Sequence, residues 1–152
     1  MKLIVILFLI SCYVTTYTSA QTRGAVLLGD TSTNVIYQDA LNIFGDEVFP
    51  GTNKKMQDSF MTAYYDLAYR LGTYQKGTVL KSGDTLKVWW KVYFDKTGTV
   101  DGMIFNVLNR NLTDAASEKV YEQAREFVRK EKIPMHSIYS FSQCGSIAII
   151  IP

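Results

Sequence analysis

A lone histidine and a lone late cysteine are the residues in this 152-residue chain most able to do chemistry. His136 and Cys144 stand eight positions apart, and a thiol beside an imidazole is the minimum of a nucleophile–base pair. Both fall in or beside a segment that reads as extended. At the rise of a strand they are then roughly 26 Å apart. Gly145 follows both, so a bend there brings neither closer to the other. A loop or edge histidine and a small buried thiol are the expected arrangement.

Metal and acid–base chemistry leave equally little. There is no CxxC, no HExxH and no histidine pair at helical spacing, so neither a metal nor another cofactor is expected. Carboxylates are scattered over Asp58, Asp66, Asp84, Asp95, Asp101, Glu118, Glu122 and Glu126. A glycosidase needs two of them facing each other across a bond, and no spacing selects any two. Solvated helix and turn positions account for them better. Lys54-Lys55 and Arg125, Arg129, Lys130 and Lys132 are basic clusters, but the formal net charge is only +2. That is too little for a nucleic-acid footprint, and no nucleic-acid partner is expected.

The elements that would position these residues are more legible. Hydrophobic residues make up 47% of the chain, enough for one domain with its own core. Met56, Phe60, Tyr64, Leu67 and Leu71 recur at spacings of 4, 4, 3 and 4, which predicts a helix over Thr52–Leu71. Thr52 or Asn53 would cap it, and Gly72 would take the left-handed stop. The polar connection Thr73–Asp84 has room for a short strand at Thr78–Leu80. Leu86, Val88, Trp90, Val92 and Phe94 alternate with Lys87, Trp89, Lys91, Tyr93 and Asp95, which predicts a strand over Thr85–Asp95 with its apolar face inward. Asp95-Lys96-Thr97-Gly98 fits a hairpin turn. A second strand follows over Thr99–Leu108, and Gly102 marks a bulge where its alternation fails.

Thr113–Lys132 predicts a second helix, capped by Thr113, with Asp114 and Glu118 near its start and basic residues near its end. Ala116, Val120, Ala124, Phe127 and Val128 form its apolar stripe, and Pro134 stops it. The β-branched run Ile147–Ile151 belongs to a last strand within Ser137–Ile151, which Gly145 bends or divides. The fold class expected is α+β and two-layer: a three-stranded antiparallel sheet with two helices on one face, in the order α-β-β-α-β, plus an N-terminal extension. Residues 21–48 are less legible. GAVLLGD (Gly24–Asp30) and Asn34–Gln38 suit short strands, and Asp39–Phe44 suits a helical turn.

The start of the chain reads as an export signal. Lys2 precedes the apolar run Leu3–Val14, and Thr18-Ser19-Ala20 suits a peptidase that leaves Gln21 as the first residue. Leu9-Ile10-Ser11-Cys12 also fits a bacterial lipobox, in which Cys12 would carry lipid. Cleavage after Ala20 is preferred, because 11 residues make a short lipoprotein leader. A lipid at Cys12 would be the route to a membrane. After cleavage at Ala20 only Cys144 remains, so no disulfide within the chain is expected. The expected division is 1–20 signal peptide, 21–48 extension and 49–152 domain, in a protein exported to the periplasm or outer membrane.

EVFPGTNKKM (Glu47–Met56) resembles the Phe-Pro-Gly-Gly helix start of TonB C-terminal domains of the Bacteroidetes type. VYFDKTGTVDGMIFNVLN (Val92–Asn109) resembles that family's central hairpin, and TDAASEKVYEQAREF (Thr113–Phe127) its second helix. The likeness covers roughly Phe49–Ile151. Thr52 stands where the family has its second glycine. The chain reads as a stand-alone secreted copy of that domain. The resemblance implies a non-enzymatic envelope protein that takes a short extended segment of a partner, such as an outer-membrane receptor, as an added strand. The expected edge is the last strand, Ile147–Ile151, with Ile147, Ile149 and Ile151 as contact residues, the alternative being that this apolar run is simply core. Trp89 and Tyr93 would be an aromatic patch for the partner or, as preferred here, lie under the N-terminal segment. The alternatives are a small secreted hydrolase using carboxylates and a cystatin-like inhibitor with the Asp95–Gly98 turn as its wedge. No Gln-x-Val-x-Gly supports the inhibitor.

Overall fold

The structure, a computed structural model, describes residues 25–28, 44, 45 and 47–152, with only the backbone of 25–28. The expected signal peptide, Cys12 and the strand at Asn34–Gln38 lie outside the described residues. The described elements are β1 (Ala25–Leu28), α1 (Lys54–Gln75), β2 (Thr85–Phe94), β3 (Val100–Val107), α2 (Asp114–Lys130) and β4 (Phe141–Ile150). The three-stranded antiparallel sheet and its two helices are present in the order α-β-β-α-β. β1 adds a fourth strand, parallel to β3, so the sheet runs β1-β3-β2-β4.

The core lies between the sheet and the helices. Leu86, Val88, Trp90, Val92 and Phe94 all face it and are buried. Phe60, Tyr64, Leu67 and Leu71 of α1 meet them from above, as do Val120, Ala124, Phe127 and Val128 of α2. The apolar stripes of the two helices were written at helical spacing, and they meet one face of the sheet because a single stripe must be covered. Asn53 caps α1, its Oδ1 accepting from the Met56 N–H at 3.0 Å. Thr113 caps α2, its Oγ1 accepting from the Ala116 N–H at 3.2 Å.

The hairpin is built on Asp95 and Gly98. One Asp95 carboxylate oxygen accepts from the Thr97 and Thr99 N–H groups and from the Thr97 hydroxyl. Gly98 has φ +83°, which a residue with a Cβ adopts only with strain. The register between β2 and β3 slips where Tyr93 faces Gly102 and Phe94 faces Val100, so Asp101 is the extra residue of a bulge. The slip explains the broken alternation: Val100, Met103 and Phe105 face the helices, whereas Gly102 and Ile104 face the other side.

Four expectations are corrected. α1 passes through Gly72 and ends at Gln75. Gly72 instead lets the helix approach β4, since a Cβ there would lie 2.8 Å from Cγ2 of Ile149. The segment Thr78–Leu80 is a turn closed by a single bridge from Lys76 to Leu80. Gly145 neither bends nor divides β4, which pairs without interruption along β2. Cys144 is exposed, not buried, because its position in β4 points away from the helices.

The chain before α1 wraps the start of β4. Phe44 lies on the face away from the helices, stacked on Tyr93 with ring centres 4.7 Å apart. Glu47 and Val48 run parallel to β4 at its rim, and the Ser142 N–H donates to the Glu47 carbonyl at 2.7 Å. Phe49 then enters the helix side and stacks on Phe60 at 4.5 Å.

Candidate functional site: the outer edge of the last strand

The sheet has two edge strands, β1 and β4, and β4 is the longer, ten residues against four. Successive backbone groups of a strand point to opposite sides, so two hydrogen bonds fix the phase of the whole element. The Ser142 N–H points outward to Glu47, and the Ile151 N–H points inward to the Asp84 carbonyl at 2.9 Å. Odd-numbered residues therefore bond to β2. Even-numbered ones present their N–H and C=O outward. Glu47 occupies Ser142. Beyond it, the N–H groups of Cys144, Ser146, Ala148 and Ile150 bond to no partner among the described residues. The Cys144 carbonyl accepts from the Gln143 side-chain amide at 3.2 Å.

This phase relocates the expected contact residues. Ile149 and Ile151 are buried, and Ile147 is half-buried against the core. Their backbone groups belong to the ladder with β2 and their side chains to the core. They support the edge without offering it. Tyr93 is also not a surface contact, being 1% exposed beneath Phe44. Trp89 is half-buried and packs against the Tyr93–Ile104 pair. The five consecutive apolar residues at the end of β4 hid the distinction, since every position has the same character.

Beside the edge lies a groove of about 470 Å³ between α1 and β4. Its walls are Tyr65, Ala68 and Tyr69 of α1, the Ile147–Ile150 stretch and Pro152. Tyr65 and Tyr69 are 59% and 56% exposed, although they are one helical turn apart and flank the buried stripe. Ile150 is 67% exposed. A second hollow of about 250 Å³ lies at the start of the edge, against Val48, Phe49 and Gln143. Sequence reasoning missed Tyr65 and Tyr69, and it did not single out Ala148 and Ile150 within the expected edge Ile147–Ile151. Two large aromatics four residues apart, just off the apolar stripe of a helix, were the available signal.

The catalytic candidates are not brought together. His136 is exposed in the segment between α2 and β4, and Cys144 is exposed on β4. Among the described residues no group of three or more His, Cys, Asp or Glu side chains is placed to hold a metal ion. Most of the carboxylates have structural partners. Asp58 pairs with Lys54, Asp66 with Arg70, Glu118 with Arg125, and Glu126 with Lys130 and Arg129. Lys130 beside Glu126 holds that carboxyl below its ordinary range. Asp84 accepts from the Lys81 N–H, and Asp95 organises the hairpin turn.

Glu131 ties the ends of the helices together. It accepts from Arg70 and from the Tyr74 hydroxyl, the latter at 2.9 Å. Burial, and then the hydrogen bond to Glu131, push the Tyr74 phenol up to about 12. Burial raises the Tyr64 phenol as well. Among the described residues no helix is long and apolar enough to cross a membrane. No family model, curated protein or solved structure matches the chain.

Proposed function

We propose that this chain is a non-enzymatic binding domain of the cell envelope that takes an extended segment of a partner protein as an added strand along β4. The observation that carries this is the run of outward N–H groups at Cys144, Ser146, Ala148 and Ile150, which have no partner among the described residues. An incoming strand satisfies such groups in a way no side-chain site does. The resemblance of Glu47–Met56 and Val92–Asn109 to TonB C-terminal domains supports the same mode, and so favours an outer-membrane receptor as partner. The export signal read at the N-terminus fits that location.

Amide hydrogen exchange tests the proposal directly. Detergent-solubilised outer-membrane proteins should bind saturably and slow exchange at Cys144, Ser146, Ala148 and Ile150. Ala148→Pro should abolish both effects while the domain stays folded, since it removes an outward donor. Deleting Ile147–Pro152 would be a poor test, because Ile149 and Ile151 are core residues. Binding that survives Ala148→Pro, or exchange already slow at these amides in the free protein, would refute the proposal.

A further inference from the structure

We infer that Tyr65 and Tyr69 select the added strand, by taking apolar side chains at alternate positions into the groove between α1 and β4. The inference rests on strand addition at this edge and names what it discriminates. Backbone pairing alone is close to balanced. Four outward residues offer eight groups, of which the Cys144 carbonyl already accepts from Gln143, and the other seven are worth about 0.5–1.5 kcal/mol each when paired. Association itself costs about 4–15 kcal/mol in lost freedom, before the segment is ordered. A surplus therefore has to come from side chains, and aromatic residues at a partly enclosed surface are the usual source.

The phase of β4 dictates which partner side chains can supply it. Residues of an added strand that lie beside Ile147 and Ile149 share their face of the sheet, toward α1. There they meet Tyr65, Ala68 and Tyr69, in a groove whose volume of about 470 Å³ falls in the range of small-ligand pockets. Residues beside Cys144, Ser146 and Ala148 fall on the opposite face, next to small side chains that leave their type unconstrained. The partner is therefore an extended segment with apolar residues at i and i+2 and tolerance between them. Tyr65 and Tyr69 contribute little to the fold, being 59% and 56% exposed, which leaves them available for contact.

The test uses two synthetic peptides. The first alternates Leu and Thr over the seven residues that match Cys144–Ile150, with Lys at each end. The second has every Leu replaced by Ser. The full chain should bind the Leu peptide at least tenfold more tightly by fluorescence anisotropy, with slowed exchange at Cys144, Ser146, Ala148 and Ile150. The double variant Tyr65→Ser, Tyr69→Ser should lose that preference and keep its melting temperature. Edge protection with no preference for Leu, or a preference the double variant retains, would overturn the selection by tyrosine but leave strand addition standing. Binding of the Leu peptide without protection of those four amides would overturn both. So would a concentration-dependent dimer of the free chain protecting the same amides, since a second copy would then be the occupant.

Discussion

Proline placed at two neighbouring positions of β4 separates the functional edge from the structural one. In Ile149→Pro the lost N–H is the one that faces Leu86, its partner across the ladder. The net loss of that bond is about 0.5–1.5 kcal/mol, and leaving a buried carbonyl unsatisfied costs about 1–3 kcal/mol. Ile149 is 4% exposed and packs against Gly72, so truncating it adds about 2–5 kcal/mol. The sum, upward of about 4 kcal/mol, is comparable to the whole stability of a small domain. In Ala148→Pro the lost N–H points away from β2, and Ala148 is exposed. Proline is tolerated on an edge in that phase, at a cost of about 1 kcal/mol for adjusting φ.

Thermal melts followed by circular dichroism read the contrast. A domain of this size loses about 3–6 °C per kcal/mol. Ala148→Pro should melt within about 6 °C of the wild type. Ile149→Pro should melt more than about 12 °C lower or fail to fold. Equal losses, or a larger loss at 148, would mean that the even-numbered residues face β2. The proposed binding edge would then be placed on the wrong set of backbone groups.

Gly98→Ala should cost about 3–5 kcal/mol in denaturant unfolding, because φ is +83° and a Cβ would lie 2.4 Å from the Ile133 carbonyl oxygen. Gly83→Ala, at φ +89° with nothing near its Cβ, should cost only about 1–2 kcal/mol, and equal losses would remove the steric part of the explanation. Gly102→Ala should drive Phe44 off the sheet, since a Cβ would lie 2.3 Å from its ring. Faster nitration of Tyr93, mapped by mass spectrometry, checks it. The Tyr74 phenol stays protonated in the fold up to about 12, against 10.0 for the ordinary value. The native state therefore binds more protons than the unfolded chain between pH 10 and 12. That stabilisation is complete below pH 10 and is lost as pH rises through the folded value. Denaturant melts across this range should fall less steeply in Tyr74→Phe than in the wild type.

The elements were legible where the period of the sequence matches one structure only. Alternation from Leu86 to Phe94 can satisfy a half-buried strand and nothing else. The stripes Phe60-Tyr64-Leu67-Leu71 and Val120-Ala124-Phe127 can satisfy only a helix with one covered face. The turn at Asp95–Gly98 was legible because its chemistry is local. Gly72 was misread for a long-range reason: a glycine needed for close approach and a glycine needed for positive φ look identical in a sequence. For Trp89 and Tyr93 the alternation of the strand left two readings, a partner patch or a seat for the N-terminal segment, and Phe44 stacked on Tyr93 decides for the second at Tyr93.

By itself, the sequence determined the helices, the hairpin and the class of the fold, since each depends on contacts within one period of the chain. Only the tertiary structure decided that Ala25–Leu28 pairs beside β3 as the other edge strand, and which half of Ile147–Ile151 presents its backbone outward. A uniform apolar run carries no phase. Its phase is set from outside, by the Gly83 and Asp84 bonds to Ile151 at one end and by Glu47 on Ser142 at the other.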